Sequence, residues 1–81
     1  MRVAVHFYSY FKELTNCVQT NFEVPGGCTI AKLLSLVFDR FPKLAVMSKS
    51  MLIAVGIEYQ SKNYVLQEGD EVSLFPPVQG G

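Results

Sequence analysis

Between Thr29 and Pro42 lies the clearest helix signal in the chain, and it limits what the rest can be. Ile30, Leu33, Leu34, Val37, Phe38 and Phe41 stand at i, i+3, i+4, i+7, i+8 and i+11, which forms a single apolar stripe on an α-helix. Thr29 is placed to cap its start. Pro42 ends it, because proline disfavours helical backbone in the residue before it. Lys32, Asp39 and Arg40 fall off the stripe. One amphipathic helix must bury its stripe against something, and its surroundings read as strands.

Val3, Val5 and Phe7 alternate with Arg2, Ala4 and His6, a half-buried strand at the very start. A short turn or helical piece over residues 11–16 follows. A second strand is expected over 17–24, with Val18, Thr20, Phe22 and Val24 on one side, closed by Pro25-Gly26-Gly27. Beyond the helix, residues 43–50 read as an irregular connection. The apolar run 51–55 reads as a central strand buried on both faces. A short edge strand is expected over 59–65, with Ser61-Lys62-Asn63 as a turn within it. Gln67-Glu68-Gly69-Asp70 is a turn signal, and 71–75 forms the last strand. The order is strand, strand, helix, strand, short strand, strand. It fits an α+β chain in which one main helix packs across a mixed sheet of about five strands. The β-grasp arrangement of ubiquitin is one such fold among several.

At 81 residues the chain is one domain, and 49% apolar content is enough for a core. The expected division is a domain over 1–75 and an extended, mobile tail over 76–81. Seven basic and seven acidic side chains cancel, so charge gives no case for nucleic acid or an anionic membrane surface as partner. No apolar run reaches a membrane-spanning length, and no signal-peptide pattern opens the chain, so a cytoplasmic protein is expected. Cys17 and Cys28 form no CxxC pair, and the single histidine, His6, is far from both in sequence, so no metal site is expected. The two thiols read as reduced and structural.

The last six residues, Pro76-Pro77-Val78-Gln79-Gly80-Gly81, suggest chemistry. Two glycines have no side chains and can thread a narrow channel into another protein's active site. Pro76-Pro77 restricts the tail and lowers the cost of ordering it. A terminal carboxylate is a poor electrophile and needs activation, typically by transfer of AMP from ATP. The chain has no GxxxxGK phosphate loop and no nucleotide-binding βαβ unit, so that ATP would be supplied by an activating enzyme, with no cofactor bound by this chain alone. A Gly-Gly end also fits an ordinary frayed terminus.

Leu66-x-x-Gly69-Asp70-Glu71-Val72-x-x-Phe75-Pro76-Pro77-Val78-x-Gly80-Gly81 resembles the C-terminal signature of the small subunits of molybdopterin synthase. Phe7 with Lys12-Glu13-Leu14, Thr29-Ile30-x-x-Leu33 and Leu52-x-Ala54-Val55 resemble other elements of that family, so the likeness runs over essentially the whole chain. It implies a ubiquitin-like β-grasp fold. It implies that Gly81, behind Gly80, is adenylated by a ubiquitin-activating-like adenylyltransferase and then converted to a thiocarboxylate by a sulfur donor protein. The tail would then enter the large subunit of a heterotetrameric synthase and give sulfur to cyclic pyranopterin monophosphate, in molybdenum cofactor biosynthesis. The chain would be non-catalytic alone. Two departures from the family are Gly56, where Asn is frequent, and Cys17, where Gly is common. Sulfur carriers for thiamine biosynthesis or tRNA thiolation, and ubiquitin-like protein modifiers, share the fold and the Gly-Gly end.

The candidate partner-binding residues are Phe75, Pro76, Pro77, Val78, Gln79, Phe7 and Lys12. If Val72 and Leu74 face the helix, Phe75 faces outward as an anchor beside the tail; a sheet covered on both faces would bury it instead. Phe7 alternates with inward Val3 and Val5 and reads as core, while the resemblance puts its position near the interface. Lys12 could meet an acidic group on a partner or simply be solvated. His6 faces outward with no role assigned. Glu68, Asp70 and Glu71 fall in or beside a turn, where carboxylates cap or solvate, and do not read as a general acid/base pair.

Overall fold

The computed structural model describes residues 1–77. Its elements are β1 (Arg2–Phe7), α1 (Phe11–Thr15), β2 (Gln19–Glu23), α2 (Ile30–Arg40), a 3-10 helix (Pro42–Met47), β3 (Leu52–Val55), β4 (Glu58–Tyr59) and β5 (Glu71–Phe75). The five strands form one sheet in the order β2-β1-β5-β3-β4. β1 runs antiparallel to β2 and parallel to β5, and β3 is antiparallel to both β5 and β4. With α2 packed across one face, this is the β-grasp arrangement.

The registers decide which side chains meet the helix. Val3 pairs with Phe22, Val5 with Val72, and Phe7 with Leu74, which in turn faces Ile53. All seven are buried, together with Ile30, Leu33, Leu34 and Val37 from α2. Burying each of those four helical side chains is worth about 1.5–3 kcal/mol as an upper figure. Phe38 and Phe41, the last members of the sequence stripe, are only half-buried. Thr29 Oγ1 accepts the Lys32 N–H at 3.2 Å, so the expected cap is present, and Phe41 N–H donates to Val37 O just before Pro42.

Three expectations need correction. The second strand begins at Gln19, not Cys17. Thr15 Oγ1 and a left-handed Asn16 (φ 59°) hold the end of α1 in a turn, and Val18 is exposed. Residues 43–50 are not irregular throughout, because Pro42 starts the 3-10 helix, which buries Leu44. The strand over 59–65 does not exist as such. β4 is two residues long, and the chain then crosses to the start of α2, with Val65 bridging Thr29. There the carbonyls of Tyr64 and Lys62 accept the N–H groups of Ile30 and Ala31, both at 3.0 Å. A helix start leaves such donors without intrahelical partners, and this crossing supplies acceptors for two of them. The run 51–55 does yield an interior strand, β3, in which Ile53 and Ala54 are buried and Leu52 and Val55 half-buried.

Candidate functional site

The face of the sheet away from α2 is assembled by the same registers. Nearest the C-terminal end of β5 lie Leu52 and Phe75 on adjacent strands and Tyr8 just past the end of β1, since Leu52 pairs with Phe75 and the Tyr8 N–H continues the ladder to Leu74 O at 3.2 Å. The next row crosses the whole sheet as Tyr59, Ala54, Ser73, His6 and Gln19. Beyond it come Glu71, Ala4 and Asn21. Polarity therefore rises with distance from the tail, from an apolar strip through a mixed row to a charged one.

Tyr8 and Phe75 are stacked, with ring centroids 4.6 Å apart and planes 15° from parallel. The stack leaves Tyr8 41% exposed and Phe75 half-buried. Phe75 thus faces outward as its alternation with Val72 and Leu74 required. Pro76 and Pro77 follow, both half-buried. Two further exposed apolar side chains, Tyr59 at 71% and Ile57 at 100%, stand at and beside the turn between β3 and β4, where Gly56 adopts φ +62°. That left-handed backbone suits Gly.

Phe7 is not part of this face. It is 1% exposed, and its ring meets Phe41 edge-on inside the core at 5.4 Å. Period two along a strand sends Phe7 inward with Val3 and Val5, so the outward aromatic is its neighbour Tyr8. The same alternation in the sequence points Tyr8 outward. Lys12 is exposed on α1 and forms no ion pair with the described residues. The remaining candidates, Val78, Gln79, Gly80 and Gly81, lie outside the described residues.

The carboxylates have structural partners. Asp70 Oδ2 accepts the Gln67 N–H at 2.8 Å and the Tyr64 hydroxyl at 3.1 Å, closing the turn before β5. Partial burial, then the Asp70 hydrogen bond and the charges of Asp70 and Glu58, push the Tyr64 hydroxyl above its ordinary value of 10.0. Glu68 accepts the Arg2 N–H at 3.3 Å. His6 has a partner that sequence gave no hint of: its Nε2 lies 3.1 Å from Glu71 Oε1. Cys17 and Cys28 are not bonded to each other. Among the described residues no three His, Cys, Asp or Glu side chains gather as a metal site, and no helix is long and apolar enough to cross a membrane.

An exposed apolar strip of this kind is suited to contact another macromolecule. The sequence profile of the ThiS family matches residues 5–81. The chain belongs to the ThiS family. A relative from Chlamydomonas reinhardtii, named molybdopterin synthase sulfur carrier subunit, is 30% identical over 84 residues, covering the whole of both chains. One of the same name from Arabidopsis thaliana is 27% identical over 81 residues, covering all of this chain and 84% of its own. The crystal structure of SAMP1 from Haloferax volcanii superposes with a TM-score of 0.87 at 21% identity over 100% of both chains, a likeness of fold. In this ThiS-family member the matched segment includes β5, which carries Phe75, and the Pro76-Pro77 pair.

Proposed function

We propose that this chain is the sulfur-carrier small subunit of a molybdopterin synthase, working in the cytoplasm, with the carboxyl group of Gly81 as the atoms that carry sulfur. The observation that carries this reading is the apolar strip Leu52, Phe75 and Tyr8 at the root of the Pro76-Pro77 segment, in a chain of the ThiS family. An apolar strip with a polar surround is the anatomy of a docking face.

In this reading the domain positions and presents a reagent. An adenylyltransferase brings ATP, and an oxygen of the Gly81 carboxylate displaces pyrophosphate to give the acyl adenylate. Sulfide-level sulfur delivered by a donor protein attacks the acyl carbon and displaces AMP, leaving a thiocarboxylate. The large synthase subunit then binds the strip and receives the tail, and the sulfur passes to cyclic pyranopterin monophosphate. Water at the acyl carbon restores the carboxylate, and two small subunits serve a large-subunit dimer. Phe75, Tyr8 and Leu52 bind and orient; Gly80 and Gly81 have no side chains to block a channel.

Intact-mass measurement after incubation with the adenylyltransferase, ATP and a sulfur source tests the proposal. The expected gain is the mass difference between sulfur and oxygen, localised to Gly81 by fragmentation. A chain that stays unchanged beside a control carrier that is converted refutes it. A variant with one alanine added after Gly81 is expected to bind the large subunit and fail to deliver sulfur.

A further inference from the structure

We propose that the hollow beside the apolar strip receives one arginine or lysine side chain of the docking partner, with the Ser73 hydroxyl as its innermost acceptor. This rests on the reading that the large synthase subunit covers the outer sheet face. The hollow measures about 610 Å3 and runs from Tyr8 across Ser73 to the β3–β4 turn. It shares Tyr8 with the strip, so a partner seated on the strip reaches it without a second contact surface.

Ser73 stands mid-sheet on β5, between His6 of β1 and Ala54 of β3. Its alternation with Val72 and Leu74 turns the side chain outward, yet the residue is only 9% exposed. The hydroxyl has no hydrogen-bond partner among the described residues. No side-chain polar atom of those residues is both sealed from solvent and unpaired, so this hydroxyl opens onto the hollow that Ser73 lines. A docked partner that displaces water from the hydroxyl loses affinity unless it supplies a hydrogen bond in exchange. The partner must therefore bring a polar atom to this point.

The surrounding charges select a cationic donor. Glu58, Asp70 and Glu71 line the hollow, and the basic side chain lining it is His6, beside Glu71. Asp70 is engaged by Tyr64 and Gln67, whereas Glu58 forms no ion pair with the described residues. Arg2 lines the adjoining hollow on the β2 side, together with Glu68, and its Nε lies 3.9 Å from Glu23 Oε2. Glu71 borders both hollows, so Arg2 offsets part of its charge, while Glu58 and Asp70 border only the hollow beside the strip. The flanks are apolar, with the Tyr8 ring on one side and the fully exposed Ile57 on the other. A long cationic side chain matches both features, because its methylene stem lies along apolar surface while its head stays polar. The head then donates to Ser73 Oγ and to a carboxylate of Glu58 or Glu71. A neutral donor would leave the carboxylates uncompensated, and an anion would be repelled.

Calorimetric dissociation constants for the large synthase subunit, taken at low and high salt, test this. Ser73→Ala breaks no hydrogen bond among the described residues, so it should leave the fold intact and weaken binding about tenfold, the worth of a hydrogen bond to a charged donor. Glu58→Gln is expected to weaken binding at low salt and to flatten its salt dependence. Replacing the large subunit's arginines and lysines by glutamine one at a time should find one position whose loss makes Ser73→Ala cost nothing further. Wild-type affinity in Ser73→Ala, wild-type salt dependence in Glu58→Gln, or the lack of any such position each overturns the proposal and leaves the docking reading intact. A folded wild-type chain that binds at no salt concentration overturns both. Should Ser73→Ala fail to fold, Ser73→Cys, of similar size and a weak acceptor, is measured in its place with the same two outcomes.

Discussion

Phe7 and Tyr8 are adjacent aromatics with opposite assignments, and truncating each separates core from docking face. Phe7→Ala removes a ring that is 1% exposed and packed edge-on against Phe41. Burial and cavity together put the cost at about 3–5 kcal/mol. The whole domain, at about 0.05–0.15 kcal/mol per residue, holds only about 4–12 kcal/mol. Each kcal/mol shifts the Tm of a domain this size by about 4–8 °C, so Phe7→Ala should lower it by at least about 12 °C. Tyr8→Ala leaves the core untouched and loses the stack on Phe75, about 0.5–1.5 kcal/mol, nearer the lower end for a ring 41% exposed. Its larger effect should be on binding, where loss of a central aromatic anchor costs at least about 2 kcal/mol, or about 30-fold in Kd for the large subunit. Urea melts followed by far-UV circular dichroism, with calorimetric binding on the folded proteins, measure both. A Phe7→Ala variant within about 1 kcal/mol of wild type, or a Tyr8→Ala variant more destabilised than Phe7→Ala, would refute these assignments.

Thr29→Ala should cost about 1 kcal/mol in a urea melt, the worth of the cap to the Lys32 N–H. Gly69→Ala should cost about 1–2 kcal/mol in the same assay, because φ is +83° there while a Cβ would meet nothing within 4 Å, so the penalty is backbone alone. Tyr64 favours its neutral form in the fold, so its contribution is fully present below pH 10.0 and is lost as pH rises from there through the raised value. Melts across that range should fall more steeply for wild type than for Tyr64→Phe. In native-state hydrogen exchange the Leu74 amide, inside the central strand, should exchange near the rate of global unfolding, and the Tyr59 amide in the two-residue edge strand far faster.

What could be read from the sequence was whatever repeats with a period. The stripe of α2, the alternation of β1 and the outward turn of Phe75 all follow from 3.6- or 2-residue spacing, and the structure has each of them. The failures have a common physical origin. The segment 62–65 serves the start of α2 through backbone carbonyls, which every residue carries, so no side-chain pattern announces it. The His6–Glu71 pair joins residues 65 apart in sequence and exists only because β1 and β5 run side by side. The 3-10 helix buries a single residue, Leu44, too little to leave a period. Of the site, the strand and the prolines were legible, while the strip needed the strand order.

That order also explains why the tail leaves from β5. β5 is third of five strands, bonded to β1 on one side and β3 on the other. An edge strand can peel away by breaking one ladder, but β5 must break two, at a net cost of about 0.5–1.5 kcal/mol for each hydrogen bond. Phe75, the last residue of that strand, is therefore a fixed point, held by Leu52 in register on one side and by the Tyr8 ring on the other. In the proposed reading, the surface a partner recognises and the origin of the tail are then the same few residues on one rigid element. A partner that seats Phe75 fixes where Pro76 and Pro77 point, because proline restricts the backbone there. The same tail on β4, a strand of two residues at the sheet edge, would have no such reference, and docking would not aim it.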